Sequence, residues 1–180
     1  MSKYLPTYVY QSIYDIDFSK LYATGKRIII ADLDNTLMPY TTDVASPLLV
    51  KWQETLKNNG FKLYLVSNNN DHRIKKVMKT LKIDGYLAKA GKPKKDKVKA
   101  FLENLGYNLD EVILLGDQLV TDIACAGNLG IASILVKTID YKTQKWYTKI
   151  NRLREKRIIK KLKQENLEIA VAIEKLSKEN

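Results

Sequence analysis

Asp32 and Asp34 stand one residue apart at the end of an apolar run, Ile28 to Ala31, in the stretch "IIIADLDNTLMPY". Alternate residues of an extended chain point the same way, so this spacing delivers two carboxylates to one space. Carboxylates that close repel, and one of them ordinarily takes up a proton. A hard cation such as Mg²⁺ relieves the conflict, because it takes oxygen ligands. One carboxylate is then available as a nucleophile and the other as a proton donor. The stretch "LLGDQLVTD" repeats the pattern: a second apolar run ends in Gly116-Asp117, and Asp122 opens the following helical segment. Asp117 is a natural further metal ligand, with Asp122 an acid standing behind the ligands.

Two other stretches supply hydroxyl and cation. "LYLVSNNN" ends a third apolar run at Ser67. Its hydroxyl, with the backbone N–H groups of Asn68 and the residues after it, can hold phosphate oxygens. "AGKPKK" sets Lys92 before a proline that fixes the loop. A lysine there can offset charge that builds on a transferring phosphoryl group. Carboxylate nucleophile, Mg²⁺, hydroxyl and lysine together fit phosphoryl transfer, where positioning and charge stabilisation do most of the work. "GKPKKDK" itself is not a P-loop, since the glycine spacing and the following Ser or Thr are missing.

The elements that must position these groups alternate along the chain. Strand patterns run over Arg27 to Asp32, Lys62 to Ser67, Tyr86 to Ala88, Val112 to Gly116 and Ile131 to Val136. Helical spacing runs over Ala45 to Asn59, Asp71 to Leu81, Lys94 to Leu105 and Val120 to Asn128. Gly60, Gly106 and Gly130 follow three of these helices, where a left-handed cap is wanted. This alternation predicts an α/β fold, a doubly wound and mostly parallel sheet covered on both faces. Ligands of such sheets bind beyond the carboxyl ends of the strands, and that is where Asp32, Ser67 and Asp117 fall. The N-terminal tyrosines are expected to pack against the sheet.

After Asp140 the character changes. Residues 142–163 carry ten Lys or Arg against Glu155 alone, +9 of the chain's +11. The division expected is a catalytic domain over 1–141 and a basic helical segment over 142–180. Apolar Trp146, Ile150, Leu153, Ile158, Leu162, Ile169, Ile173 and Leu176 loosely follow helical spacing there. Such a segment could lay its apolar side on the domain, or lie on an anionic bilayer with Trp146, Tyr147 and Ile150 inward. RNA is the alternative polyanion. Cys125 is the only cysteine, no apolar run reaches membrane-spanning length, and a cytoplasmic location follows, peripheral at the inner membrane face if the tail binds lipid.

Asp32-Leu33-Asp34-Asn35-Thr36-Leu37, Ser67, Lys92 and Gly116-Asp117 with Asp122 resemble, in order, the four motifs of the haloacid dehalogenase (HAD) superfamily. "SIYDIDFSKL", "VSNNN", "GDQLVTDI", "GNLGIASILV" and "KINRLREK" are similar to its YqeG-type subfamily IIIA phosphatases, the broad group that includes phosphatidylglycerophosphate phosphatase. The resemblance implies a Rossmann-like fold and an aspartyl-phosphate formed on Asp32, with Asp34 as general acid–base. It implies that Ser67 and Lys92 bind the phosphoryl group. It implies Mg²⁺ on Asp32, the backbone carbonyl of Asp34, and Asp117. Lys92 is preferred over Lys89, Lys94 and Lys95, its neighbours in a run more basic than the family pattern.

Between Asp34 and Ser67 lie 32 residues, and between Ser67 and Lys92 lie 24. Each gap holds one helix and its loops, so no cap domain fits and only a flap over Met38 to Val44 remains. An open site suits a phosphate carried on something large, with phosphatidylglycerophosphate the best single expectation. The other reading is an interaction protein of the same fold that binds RNA or a ribosomal partner.

Overall fold

The computed structural model describes residues 2–140 and 146–178, with side chains described over 154–176 in the second stretch. A six-stranded sheet carries the fold. Its strands are β1 (Tyr8–Tyr10), β2 (Ile28–Ala31), β3 (Lys62–Val66), β4 (Gly85–Leu87), β5 (Val112–Gly116) and β6 (Ala132–Val136). The spatial order is β1-β6-β5-β2-β3-β4, and every pairing is parallel. The helices between them are α1 (Phe18–Ala23), α2 (Pro47–Asn58), α3 (Asp71–Val77), α4 (Asp96–Asn104) and α5 (Ala124–Leu129). The chain closes with α6 (Trp146–Glu165) and α7 (Leu167–Lys178).

The central strands are apolar on both sides because both sides are covered. Ile29, Ala31, Leu63, Leu65, Ile113 and Leu115 pack with Leu49, Trp52 and Ile74 on one face. Ile28, Ile30, Tyr64, Val66, Val112 and Leu114 pack with Val98, Leu102 and Cys125 on the other. Cys125 is thus a small buried residue, as its apolar setting in the sequence implies. Gly60, Gly106 and Gly130 all take positive φ just past their helices. His72 lies in the first turn of α3, exposed.

Several elements differ from the sequence expectation: α1 lies outside it, and the helix expected over Asp71 to Leu81 ends at Val77. Tyr8–Tyr10 is a sixth strand at the sheet edge, not merely aromatic packing; three residues are too few to show an alternation. The helix expected from Val120 begins with one π-turn, Leu119–Ile123, before α5 takes over at Ala124. Wide turns of this kind often mark functional positions, and this one carries Asp122.

The tail folds back. Val9 of β1 sits in register with Leu135 of β6, so both point to one face. That face is covered by Ile159 and Leu162 of α6 and by Ala170, Ile173 and Leu176 of α7, with Ile158 and Ile169 at the margin. Arg154, Lys156, Arg157, Lys160 and Lys161 remain exposed. The expected apolar side formed by Trp146, Tyr147 and Ile150, and Leu153 beside it, lie outside the residues whose side chains are described. Among the described residues no helix is long and apolar enough to cross a membrane.

Candidate active site

The register of three neighbouring strands brings the acids together. Ala31 is level with Leu65 on one side and Leu115 on the other. The residues just beyond therefore share one crevice at the carboxyl edge: Asp32 after β2, Ser67 after β3, and Asp117 after β5. The Asp32 N–H continues the ladder by donating to Leu115 O at 2.9 Å, which fixes where its side chain begins.

Lys92 reaches this crevice from the loop after β4. Its Nζ lies 2.8 Å from Asp32 Oδ1 and 2.7 Å from Asp122 Oδ1, and its side chain is 1 % exposed. The contact to Asp122 is an ion pair between two buried side chains. Lys89, Lys94 and Lys95 are all exposed, so the fold brings Lys92 to the acids and leaves the other three outside. Asn68 holds the Lys92 backbone from both sides. It donates through Nδ2 to Lys92 O (3.0 Å) and accepts from Lys92 N at Oδ1 (2.8 Å). Its amide is thus engaged in positioning Lys92. Ser67 is buried, and its Oγ accepts from the Asn69 N–H at 3.0 Å.

Asp122 turns back beneath the tip of β5. Its Oδ2 accepts from the Gln118 N–H at 3.1 Å. A Cβ on Gly116 would meet the Asp122 side chain at 2.3–2.6 Å, so glycine is required there. The same loop is tied to the tail: Leu119 N–H donates to Glu155 Oε1 of α6 at 2.9 Å. The one acid of the basic segment anchors it beside Asp117 and Asp122.

Four neighbours of the site escaped the sequence reading. Thr36 donates from its hydroxyl to Asp117 Oδ1 at 3.0 Å and lies 3.4 Å from Asp32 Oδ2, so one atom spans both acids. Thr138, past β6, donates to Asp117 Oδ2 at 2.8 Å. Asp34 accepts from Arg73 Nε at Oδ1 (3.0 Å) and from Asn69 Nδ2 at Oδ2 (3.1 Å). Arg73 also donates to Asp43 Oδ1 and Pro39 O, which ties the flap to α3. Thr36 lies inside the acid motif, two residues past Asp34, but the chain turns at Asn35, whose φ is 65°, so extended-chain alternation does not place its hydroxyl. Thr138, Asn69 and Arg73 reach their partners only through the fold.

The electrostatics state what this cluster lacks. Burial, then Asp122 and Asp34, push the Asp32 carboxyl up to about 7 against the opposing pull of Lys92. Burial, Asp122 and Asp32 hold Asp117 well above the usual carboxylate range, although Thr138 and Thr36 hydrogen bonds oppose this. Buried carboxylates outnumber the lysine between them, and a second cation is needed to keep them all ionised. Among the described residues no cluster of three or more His, Cys, Asp or Glu side chains is placed to hold a metal. Two carboxylates, Asp32 and Asp117, completed by a backbone carbonyl, suit Mg²⁺, which keeps several waters and needs only one or two carboxylates. The donor set and its surplus negative charge fit that ion.

Residues 89–164 match the family model described as HAD-hydrolase-like. The chain is 34% identical over 160 residues to Probable phosphatase YqeG of Bacillus subtilis (strain 168), covering 89% of this chain and 92% of that protein. The fold is similar to an uncharacterized protein from Listeria monocytogenes serotype 4b, with TM-score 0.54 and 21% identity over 66% of this chain and 85% of the other. It is also similar to a hypothetical protein from Xanthomonas campestris, with TM-score 0.51 and 18% identity over 76% and 80% of the two chains.

Proposed function

Because this chain belongs to the HAD-like hydrolases, among the YqeG-type phosphatases, we propose that its carboxylate crevice hydrolyses phosphomonoesters through a phosphorylated Asp32, with Mg²⁺ as cofactor. The observation that carries the proposal is the contact of Lys92 Nζ with Asp32 Oδ1 at 2.8 Å inside a buried acid cluster. It supports a carboxylate held in one orientation with a cation already beside the point where phosphoryl charge would arrive.

Asp32, Asp117 and the backbone carbonyl of Asp34 would hold the metal, which supplies a positive charge for the phosphoryl oxygens and keeps the two carboxylates ionised. An Asp32 carboxylate oxygen attacks phosphorus and the ester P–O bond breaks. Asp34 gives its proton to the departing alkoxide. Asp34 then takes a proton from water, the water oxygen attacks the phosphorus of the acyl phosphate, and Asp32 leaves as the free carboxylate with inorganic phosphate. Lys92 and the Ser67 region offset charge on the transferring group. An ester oxygen arriving at Asp34 competes there with Arg73 and Asn69.

We further infer a phosphate borne on a large molecule, with phosphatidylglycerophosphate the best single candidate. The support is that one helix, one strand and their loops fill each of the intervals from Asp34 to Ser67 and from Ser67 to Lys92, which leaves no room there for a cap domain, and that α6, with its exposed Arg and Lys side chains, is tied to the loop between Asp117 and Asp122 through Glu155. Phosphate release from phosphatidylglycerophosphate in mixed micelles, compared with a soluble aryl phosphate, each with Mg²⁺ and with chelator, tests the proposal. Release that requires Mg²⁺ is expected with both esters and faster with the lipid. Equal release in excess chelator contradicts the metal, and no release from either ester contradicts the activity.

A further inference from the structure

The guanidinium of Arg73 ties three parts of the fold at once. From α3 its Nε donates to Asp34 Oδ1 at 3.0 Å, its Nη1 to Asp43 Oδ1 at 2.7 Å, and its Nη2 to Pro39 O at 3.2 Å. Asp34 belongs to the acid motif, and Asp43 and Pro39 to the flap. The Tyr40 ring of the flap lies 6.0 Å from the guanidinium carbon. The Arg73 side chain is only 9 % exposed. Donors of one rigid planar fork on three separate acceptors leave the guanidinium a single orientation.

Fastening the flap does not by itself call for this arrangement. Lys76, also on α3, already holds Asp43 Oδ2 at 2.8 Å. What Arg73 adds is the reach to Asp34. The second Asp34 oxygen accepts from Asn69 Nδ2 at 3.1 Å, so the carboxyl is gripped at both oxygens and its plane is fixed. A carboxylate offers about four lone-pair positions, and two are taken here. A carboxyl that carries a proton has one O–H to give and can still accept both of these bonds. The same grip therefore serves a group that first gives a proton and then takes one.

We infer that Arg73 is the positioning residue of Asp34: anchored by the flap, it fixes the direction in which Asp34 presents its proton to the departing alcohol. The inference rests on the phosphatase reading and deepens it at the same site. It acts through orientation, so its signature is the dependence of rate on the leaving group. Phenolate is a poor leaving group and needs the proton, whereas 4-nitrophenolate departs without it. With a covalent intermediate, kcat/KM covers only the steps up to release of the alcohol, the half of the reaction in which Asp34 is the acid.

The test compares kcat/KM for phenyl phosphate and 4-nitrophenyl phosphate with Mg²⁺. Arg73→Gln should lower the value for phenyl phosphate about tenfold more than for the nitro ester, the scale on which an outer partner matters. Arg73→Lys keeps the charge and loses the fork, so the selective loss should persist. Asp43→Ala, at a side chain that is 47 % exposed, removes an anchor of the guanidinium and should show a smaller loss of the same selective kind, whether or not the Arg73 variants fold. Losses equal for the two esters, as in a site merely loosened, overturn the positioning, and so does no loss. Full recovery in Arg73→Lys overturns it as well, because charge alone then suffices. Wild-type hydrolysis of the nitro ester alone also overturns it, since no proton is then being delivered. No wild-type hydrolysis of either ester overturns the phosphatase reading, and the positioning with it.

Discussion

Asp122 holds Lys92 across 2.7 Å at a point where both side chains are at most 2 % exposed. Burial alone would lower the Lys92 pKa, but Asp122 and Asp32 outweigh it and raise it above the ordinary lysine value. The lysine is therefore a fixed positive charge at the site, and Asp122 helps to hold it there. Asp122→Asn leaves Lys92 with one carboxylate where there were two. Breaking a buried pair of this kind costs about 3 kcal/mol of stability, and loss of an outer partner costs about 10- to 100-fold in activity. Chemical denaturation and steady-state kinetics on the variant measure both. Wild-type stability and turnover together would show that Lys92 needs no such support.

The acid cluster has a pH signature in the metal-free protein. Asp32 titrates near 7 when folded and near about 4 when unfolded. The folded state binds the extra proton between those values, so stability contributed by this group is present at low pH and falls as pH rises through the window. Bound Mg²⁺ requires the ionised carboxylates, so its binding displaces protons. The rise in Tm on adding Mg²⁺ should be larger at about pH 8 than at about pH 5.5. Thermal melts at the two pH values, with and without the metal, give the comparison. A metal-induced shift that shrinks as pH rises contradicts a carboxylate site, and Asp117→Ala should abolish most of the shift.

The basic face of α6 bears on where the protein works. Leu162 and Ile159 are buried against the domain, while Arg154, Lys156, Arg157, Lys160 and Lys161 face solvent. Packing of the apolar side and attraction of the charged side to an anionic surface are compatible. Replacing these five residues by Gln should slow hydrolysis of a phosphorylated lipid in anionic vesicles, since each basic residue near such a surface contributes about 1 kcal/mol. Hydrolysis of a soluble aryl phosphate should change little. The vesicle effect should shrink with salt as the screening length falls from about 10 Å at 0.1 M toward about 3 Å at 1 M. Equal losses on both substrates would make these charges a structural part of the fold, and no loss on either would leave them a solvated face.

How much of this was legible in the chain depends on the distance over which each signal acts. Asp32, Asp34 and Asp117 announce themselves locally, because an apolar strand that runs straight into acid has few bland explanations when it happens twice. The parallel sheet followed from the same runs. Lys92 could be placed by order and resemblance, but only the fold separates it from Lys89, Lys94 and Lys95, by burying one and exposing three. Arg73 and Asn69 were invisible, since their partner Asp34 lies more than thirty residues away in sequence. Thr36 was within the quoted motif, but the chain turns at Asn35, so strand spacing alone does not place it. The strand Tyr8–Tyr10 was missed because its pairing with β6 joins opposite ends of the chain. Glu155 looked like a stray acid in a basic segment until its contact with the Leu119 N–H gave it an anchoring position.

The central claim is that Asp32 carries the phosphoryl group, and acid-quenched labelling during turnover addresses it most directly. Mixing the protein with Mg²⁺ and a substrate labelled in its phosphate, quenching in acid and mapping the label by peptide mass should find a single phosphorylated aspartate, Asp32. Label should be absent from well-folded Asp32→Asn, and turnover of that variant should fall by at least about a thousandfold, as expected when a nucleophile is removed. Label on another residue, or Asp32→Asn turning over at more than about a hundredth of the wild-type rate, would contradict the account.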